Sequence, residues 1–138
     1  MNEKRLSHTK WCCKYHVVFV PKYRKKILYG KYRTEIGKII RKLCEFKGVE
    51  LIEPKACIDH IHMCLSIPPK YSVSSIMGYL KGKSALMFFD KYPEVRKKTN
   101  GKNLWTRGYY VNTVGLNEEV VRKYIREQEV DDRNFGDI

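Results

Sequence analysis

The chain has 138 residues and a formal net charge of +13, with 28 Lys and Arg against 15 Asp and Glu. Hydrophobic residues make up 43% of it, which is enough for one packed core and excludes an intrinsically disordered chain. No apolar run approaches the roughly 20 residues that cross a bilayer, and residues 1–10 lack the apolar segment of a secretory signal. We therefore expect one cytoplasmic domain over residues 1–138.

Strand and helix signals alternate along the first half. β-Branched and aromatic residues run from Trp11 to Val20 and predict a first strand that stops before a proline. Isoleucine and leucine at helical spacing predict a helix over Lys31–Lys47, which a glycine ends. Two further apolar segments, Val49–Cys57 and His60–Ile67, predict two strands joined by a tight turn.

The second half continues this alternation. It predicts a helix over Val73–Phe89, a polar loop over Tyr92–Asn103 and a fourth strand over Trp105–Val114. Asn117 is a predicted N-cap, followed by two Glu, for a last helix that runs to about Gln128. The order β-α-β-β-α-β predicts an α+β fold of the ferredoxin-like, or RRM-like, class: an antiparallel sheet with two helices on one face. The last helix is an addition to that fold.

Basic residues are concentrated near the start of the chain. Residues 1–48 hold 14 basic and 3 acidic residues, whereas residues 115–138 hold 4 basic and 7 acidic residues. A positive surface of this size suits a polyanion, most simply nucleic acid. Tyrosines stand among the cations, as in Lys22-Tyr23-Arg24, and this mixture suits unpaired bases with their phosphates. Tyrosine is equally common on half-buried strands, so the pattern leaves both interpretations open.

The five cysteines do not predict a disulfide framework, because their number is odd and no Cys-x-x-Cys occurs. Cys57, His60, His62 and Cys64 suggest zinc by their spacing alone. On one straight strand, however, His60 and Cys64 would lie about 13 Å apart, too far to bind the same ion. We expect buried, reduced thiols.

A His-x-His pair and a Tyr/Gln pair are the candidate functional residues. His60 and His62 are two residues apart on a predicted strand, so both point to one face while Ile61 points into the core. They can converge on one metal ion, or they are ordinary half-exposed strand histidines. Tyr124 and Gln128 are four residues apart on the last helix and share a face.

Tyr124 also has two interpretations. It is either a core-facing aromatic with a polar tip or a nucleophile. A phenol attacks poorly unless its phenolate is stabilised, and a neighbouring divalent ion can do this while polarising a phosphate. The amide oxygen of Gln128 is a suitable neutral ligand beside two imidazoles. Mg²⁺ or Mn²⁺ fits phosphate chemistry best.

Together with other segments, these residues resemble the single-tyrosine HUH (histidine, hydrophobic, histidine) transposases of the smallest bacterial and archaeal insertion sequences. The resemblance rests mainly on the set His60-Ile61-His62, followed by Tyr124 and Gln128. Further matching segments are Lys14–Arg24, Lys81–Ser84 and Leu104–Tyr110. The resemblance extends from about Thr9 to Gln128, which is most of the chain.

This resemblance implies a concrete mechanism. His60, His62 and Gln128 are expected to bind Mg²⁺ or Mn²⁺, and Tyr124 to attack a phosphodiester of single-stranded DNA. The products are a 5′-phosphotyrosine link and a free 3′-hydroxyl, which can later attack another phosphotyrosine, so that strands are joined without ATP. The resemblance also implies a homodimer in which the tyrosine helix of one subunit completes the other subunit's site, with Gly115 as the joint.

The DNA implied by the resemblance is a single strand that forms hairpins near the transposon ends. We expect a DNA-associated protein of the bacterial or archaeal cytoplasm, without membrane contact. Six basic residues are candidate contacts to the hairpin, and each can equally be an ordinary solvated cation of the surface. They are Lys22, Arg24, Lys25, Lys26, Lys81 and Lys83.

Two other functions remain open from the residues. A non-enzymatic single-stranded nucleic-acid-binding module of RRM-like fold has the same sheet topology, and it predicts metal-independent binding without a covalent adduct. A metal-dependent hydrolytic nuclease would use water as the nucleophile, and it predicts cleavage that survives Tyr124→Phe.

Overall fold

The computed structural model describes residues 4–6, 9–22, 29–57, 59–98, 103–114, 119–120 and 122–127. The strands are β1 (Lys4–Leu6), β2 (Thr9–Trp11), β3 (Lys14–Phe19), β4 (Glu50–Ala56), β5 (Ile61–Ser66) and β6 (Tyr110–Thr113). The helices are α1 (Lys31–Lys47), α2 (Val73–Lys91) and α3 (Pro93–Lys98). Residues 119–120 and 122–127 are also helical, and we call them the C-terminal segment.

A four-stranded sheet forms the centre of the fold. Its strand order is β4-β5-β3-β6, and every neighbouring pair is antiparallel. This is the order of a ferredoxin-like sheet, in which helical crossovers α1 and α2 place strands that are distant in sequence side by side. The predicted α+β class is therefore confirmed. No helix in the described part of the chain is long and apolar enough to cross a membrane.

The main core lies between the sheet and the two long helices. On β5 the alternate residues Ile61, Met63 and Leu65 are buried against α1 and α2. Helix α1 contributes its apolar stripe and ends, as predicted, at Gly48, whose φ of 66° is the left-handed conformation that favours glycine. Because successive side chains of a strand point to opposite faces, the intervening residues of β5 lie on the face of the sheet that is turned away from α1 and α2.

A smaller apolar cluster covers part of that other face. It joins Cys64 of β5 and Val114 to Ile125 of the C-terminal segment, with Ile52 of β4 at its edge. Ile125 has no exposed surface. The C-terminal segment therefore packs on the sheet face opposite to α1 and α2.

Three element predictions are wrong in detail. The short hairpin of β1 and β2 was not predicted, because its polar residues show no alternation of apolar and polar side chains. The predicted loop after α2 contains α3, which begins at Pro93, a residue suited to a first helical turn, and buries Val95. The fourth strand begins at Tyr110 and not at Trp105.

Trp105 stands before β6 because the chain turns there. It forms an isolated bridge with Pro21, and Gly108 follows with a φ of 80°. The Trp105 indole Nε1 donates a hydrogen bond to Ser84 Oγ at 2.9 Å, and Lys81 Nζ donates to the carbonyls of residues 106 and 108 at 2.8 and 2.6 Å. These bonds attach the segment before β6 to α2.

Replacement of a core aromatic should test the packing of α2. Phe88→Ala removes a side chain with no exposed surface, so we expect the free energy of unfolding to fall by about 3–5 kcal/mol. Phe46→Ala on α1 is the matched control, because Phe46 is 73% exposed, and its effect should stay within about 0.5 kcal/mol. Denaturant unfolding measures both, and equal losses would contradict this packing.

Candidate active site

The two histidines of the His-x-His pair lie side by side at the start of β5. The ring centroids of His60 and His62 are 4.4 Å apart, with the ring planes at 74°. Ile61, between them, is buried in the main core at 3% exposure. His62 is buried, and the side chain of His60 is 16% exposed.

Each of the two imidazoles has a partner at its Nδ1 atom. His60 Nδ1 lies 2.6 Å from Asp59 Oδ1, and His62 Nδ1 lies 3.0 Å from His16 Nε2. A ligating histidine in proteins commonly engages its second ring nitrogen in such a hydrogen bond. Both residues would therefore bind a cation through Nε2.

Burial keeps the inner histidine neutral. The pKa of His62 is lowered to about 3, first by burial and then by charge repulsion from the neighbouring His60 and His16. Burial also lowers the pKa of His16. Because a metal binds the neutral imidazole, His62 is in the competent charge state at neutral pH.

Tyr124 lies at the rim of the same site. Its ring centroid is 6.0 Å from that of His62 and 5.9 Å from that of His16, and the side chain is 52% exposed. The interpretation of Tyr124 as a core-facing residue is wrong, because its neighbour Ile125 occupies that position. A phenol that is exposed next to two histidines is accessible to a polymeric substrate.

Glu53 attaches the C-terminal segment to the sheet. This β4 side chain accepts hydrogen bonds at Oε1 from Arg122 Nε and from Arg126 Nη1, each at 3.1 Å. The two arginines are four residues apart and flank Tyr124 in the sequence, so the contact contributes to where the phenol sits. Sequence reasoning missed it, because charges on a strand and on a distant helix reveal no pairing.

The remaining candidate residues of the site are outside the described part of the chain. They are the predicted third ligand Gln128, the predicted joint Gly115 and the proposed N-cap Asn117. Among the described residues, no three His, Cys, Asp or Glu side chains come together to hold a metal ion. Two imidazoles alone are a partial ligand set, which a neutral amide oxygen would extend. Imidazole donors by themselves suit transition metals, so the expectation of Mg²⁺ or Mn²⁺ comes from the phosphate chemistry and from oxygen ligands outside this pair.

Two of the predicted DNA contacts share a groove on the α2 side of the sheet. The groove has a volume of about 770 Å³, and Lys22 and Lys81 line it together with Arg96, Arg107 and Trp105. Lys81 also holds two carbonyl groups, so it has a structural role, whereas Lys83 is exposed on α2. The other predicted contacts, Arg24, Lys25 and Lys26, lie outside the described residues.

Comparison with known proteins gives consistent matches. Residues 9–128 match the family model described as "Transposase IS200 like". The transposase for insertion sequence element IS200 of Salmonella typhimurium is 52% identical over 132 residues, covering 96% of this chain and 87% of that protein. The ISDra2 transposase TnpA of Deinococcus radiodurans is 34% identical over 115 residues, covering 83% and 82%.

Two solved structures have the same fold. One is a crystal structure of a chain described as a transposase from Deinococcus radiodurans, with a TM-score of 0.75, 25% identity and coverage of 91% of this chain and 97% of that one. The other is a REP-associated tyrosine transposase bound to a REP hairpin, with a TM-score of 0.62 and coverage of 100% and 76%. Its identity is 16%, so it supports the fold only.

Loss of the Glu53 carboxylate should loosen the C-terminal segment. Glu53→Gln removes the charge that two guanidinium groups share, and we expect amide exchange over residues 122–127 to accelerate by several-fold, equivalent to about 1 kcal/mol. Glu119→Gln is the matched control, because Glu119 is 79% exposed and contacts Arg122 at 3.3 Å from the same segment. Equal exchange in the two variants, by mass spectrometry, would contradict this role of Glu53.

Proposed function

The chain belongs to the IS200-like transposase family, and from this membership we propose that it cleaves and rejoins single-stranded DNA through a tyrosine intermediate. The observation that carries the proposal is the position of Tyr124 beside His62, the inner member of the His60 and His62 pair. Family membership covers residues 9–128 and therefore includes all three residues. A DNA substrate is consistent with activity in the cytoplasm of a bacterium or archaeon.

Tyr124 is the proposed nucleophile. Its phenolate oxygen attacks the phosphorus of a phosphodiester, the bond from phosphorus to the 3′ oxygen breaks, and that oxygen takes up a proton as it leaves. The DNA is then joined to Tyr124 through a 5′-phosphotyrosine. In the reverse direction a 3′-hydroxyl attacks this link and Tyr124 departs. No ATP is needed, because the phosphotyrosine conserves the energy of the broken ester.

His60 and His62 are the proposed cation ligands, with the amide oxygen of Gln128 as a third. Their Nδ1 atoms are engaged with Asp59 and His16, which orients both rings. A bound Mg²⁺ or Mn²⁺ would neutralise charge on the phosphate and stabilise the phenolate of the nucleophile. The exposed ring of Tyr124 lies beside His62, 6.0 Å away between centroids, at the edge of this proposed ligand pair.

The basic groove is the proposed contact for a DNA hairpin. Lys22, Arg96 and Arg107 bring positive charge to one concave surface, and Trp105 lies in the same wall. Exposed Lys83 continues this surface along α2. A protein with the same fold is bound to a REP hairpin, and a hairpin is proposed for this chain by analogy with it. Arg24, Lys25 and Lys26 remain proposed contacts from the sequence.

A homodimer is part of the proposal. Strand β6 is at the edge of the sheet, and Tyr110, Val111, Asn112 and Thr113 are all exposed, so this edge is available to a second copy. In the chain described here, Tyr124 lies beside the histidines of its own sheet. Sharing of active sites would require the C-terminal segment to cross to the partner, with Gly115 as the proposed joint.

A covalent-trapping assay tests the proposed chemistry. The purified chain is incubated with labelled single-stranded DNA from the ends of its own element, with Mg²⁺ or Mn²⁺, and is then run on a denaturing gel. We expect a shifted protein–DNA band, because phosphotyrosine survives denaturation. The band should be absent with EDTA, with Tyr124→Phe and with the His60→Ala/His62→Ala double variant.

The controls of this assay separate the competing functions. Tyr15→Phe is a matched control, since Tyr15 lies on β3 and packs against the main core, and this variant should keep the band. Cleavage that survives Tyr124→Phe would indicate a hydrolytic nuclease. Metal-independent binding without any covalent band would indicate a single-stranded nucleic-acid-binding module.

The salt dependence of hairpin binding tests the groove. For each lost phosphate contact, the slope of log K against log[salt] should flatten by about 0.9 on a duplex stem. We expect this change for Lys22→Ala, which alters a lining residue of the groove. Lys38→Ala is the control, because Lys38 is exposed on α1 and is not part of the groove lining. Equal slopes for both variants and the wild-type chain would remove Lys22 from the interface.

A further inference from the structure

His16 is a third histidine on the face of the sheet that carries the proposed active site. It lies on β3 and is buried, at 8% exposure. Its ring plane is nearly parallel to that of His62, at 11°, and the ring centroids are 5.2 Å apart. The edges of the Tyr110 and Tyr124 rings each approach it at 5.9 Å between centroids. The rings of His16, His62 and Tyr124 are therefore mutual neighbours, with centroids 5.2 to 6.0 Å apart.

Strand register brings His16 and His62 together. In the β3–β5 ladder His16 pairs with Cys64, and Val18 pairs with His62. His16 and His62 are thus diagonal neighbours on one face, a distance that two aromatic side chains can bridge. Their nitrogens, His16 Nε2 and His62 Nδ1, are 3.0 Å apart. This is a hydrogen-bond distance between two buried rings.

A hydrogen bond between two neutral imidazoles has only two forms. If His16 donates from Nε2, then His62 carries its own hydrogen on Nε2, and that nitrogen has no lone pair for a cation. If His62 donates from Nδ1, its Nε2 keeps the lone pair and can bind a cation. The direction of this one bond therefore determines whether His62 is a ligand.

His60 has no such choice. Its Nδ1 lies 2.6 Å from Asp59 Oδ1, and an ionised carboxylate only accepts hydrogen bonds. Asp59 thus holds His60 with the hydrogen on Nδ1 and the lone pair on Nε2. For two imidazoles to converge on one cation, His62 must adopt the same tautomer, and the group at its Nδ1 is His16.

We propose that His16 is a positioning residue that accepts a hydrogen bond from His62 Nδ1 and so holds His62 in the tautomer whose Nε2 binds a divalent cation. His16 then carries its own hydrogen on Nδ1. The role is that of a group outside the ligand set, which selects the tautomer and the ring orientation of a ligand. This inference rests on the proposed cation site of His60 and His62.

Nitrogen NMR of the full chain tests the tautomer directly. Histidine is labelled with ¹⁵N, metal is removed with EDTA, and the signals are assigned with His16→Gln, His60→Gln and His62→Gln. We expect a pyrrole-type signal for Nδ1 of His62 and a pyridine-type signal for its Nε2. The reverse pattern, with the hydrogen of His62 on Nε2, would overturn the proposal.

Two substitutions of His16 separate the hydrogen bond from simple packing. His16→Gln places an amide oxygen near the position of Nε2 and can still accept, whereas His16→Phe keeps an aromatic ring of similar size without any acceptor. By titration of Mn²⁺ without DNA, His16→Phe should weaken binding by about 10–100-fold. His16→Gln should stay within a few-fold of the wild-type chain.

The outcomes distinguish this inference from the proposed function. A wild-type chain that binds no Mn²⁺ contradicts the cation site itself. If the wild-type chain binds Mn²⁺ and His16→Gln and His16→Phe lose affinity equally, the role of His16 is contradicted and the cation site still stands. The same holds if His16→Phe loses no affinity. If circular dichroism shows that His16→Phe does not fold, the role of His16 is still tested by the tautomer of the wild-type chain and by the Mn²⁺ affinity of His16→Gln.

Discussion

The two-residue period of β5 is the constraint on which the site depends. Ile61, Met63 and Leu65 are buried against α1 and α2, so His62 must face the opposite side of the sheet. A shift of one residue in strand pairing would exchange the core-facing residues of β5 with those on the opposite face, and it would bury imidazoles in the apolar core. The hydrophobic free energy of the core therefore also maintains the position of the histidines.

The C-terminal segment depends on the face that β5 leaves open. Ile125 packs on Cys64 and Val114, while Glu53 holds the arginines on either side of Tyr124. Consecutive helical positions point about 100° apart, so anchoring Ile125 directs Tyr124 to the rim. Among the described residues, the packing of Ile125 and the carboxylate of Glu53 thus help to place an exposed phenol beside buried imidazoles.

The sheet also separates the two proposed DNA contacts. The basic groove lies on the α2 side, and the histidines lie on the other side with the C-terminal segment. Two kinds of hydrogen bond attach the segment before β6 to α2 and so shape the groove. Lys81 donates to the carbonyls of residues 106 and 108, and Trp105 donates to Ser84. β6 then pairs with β3, the strand that carries His16. Hairpin binding and strand cleavage would be connected through these same elements.

Much of this molecule was predictable from periodicity. The helix over Lys31–Lys47 follows from the spacing of apolar residues, since that spacing reflects local backbone geometry. The α+β class and the shared face of His60 and His62 follow from the same spacing. Helix α3 and the β1–β2 hairpin were not predictable, because tertiary contacts such as the burial of Val95 stabilise short elements with weak local signals.

Other features were decided by tertiary structure alone. Neither the bond of His16 to His62 nor the attachment of Glu53 to the C-terminal segment leaves a local pattern. The partners in these contacts are 46 and 69 residues apart. The sequence by itself determined which residues face the core in the elements with clear periodicity, such as α1 and β5. Only the strand register and the packing of the C-terminal segment decided which distant side chains meet, because such contacts form when the chain closes on itself.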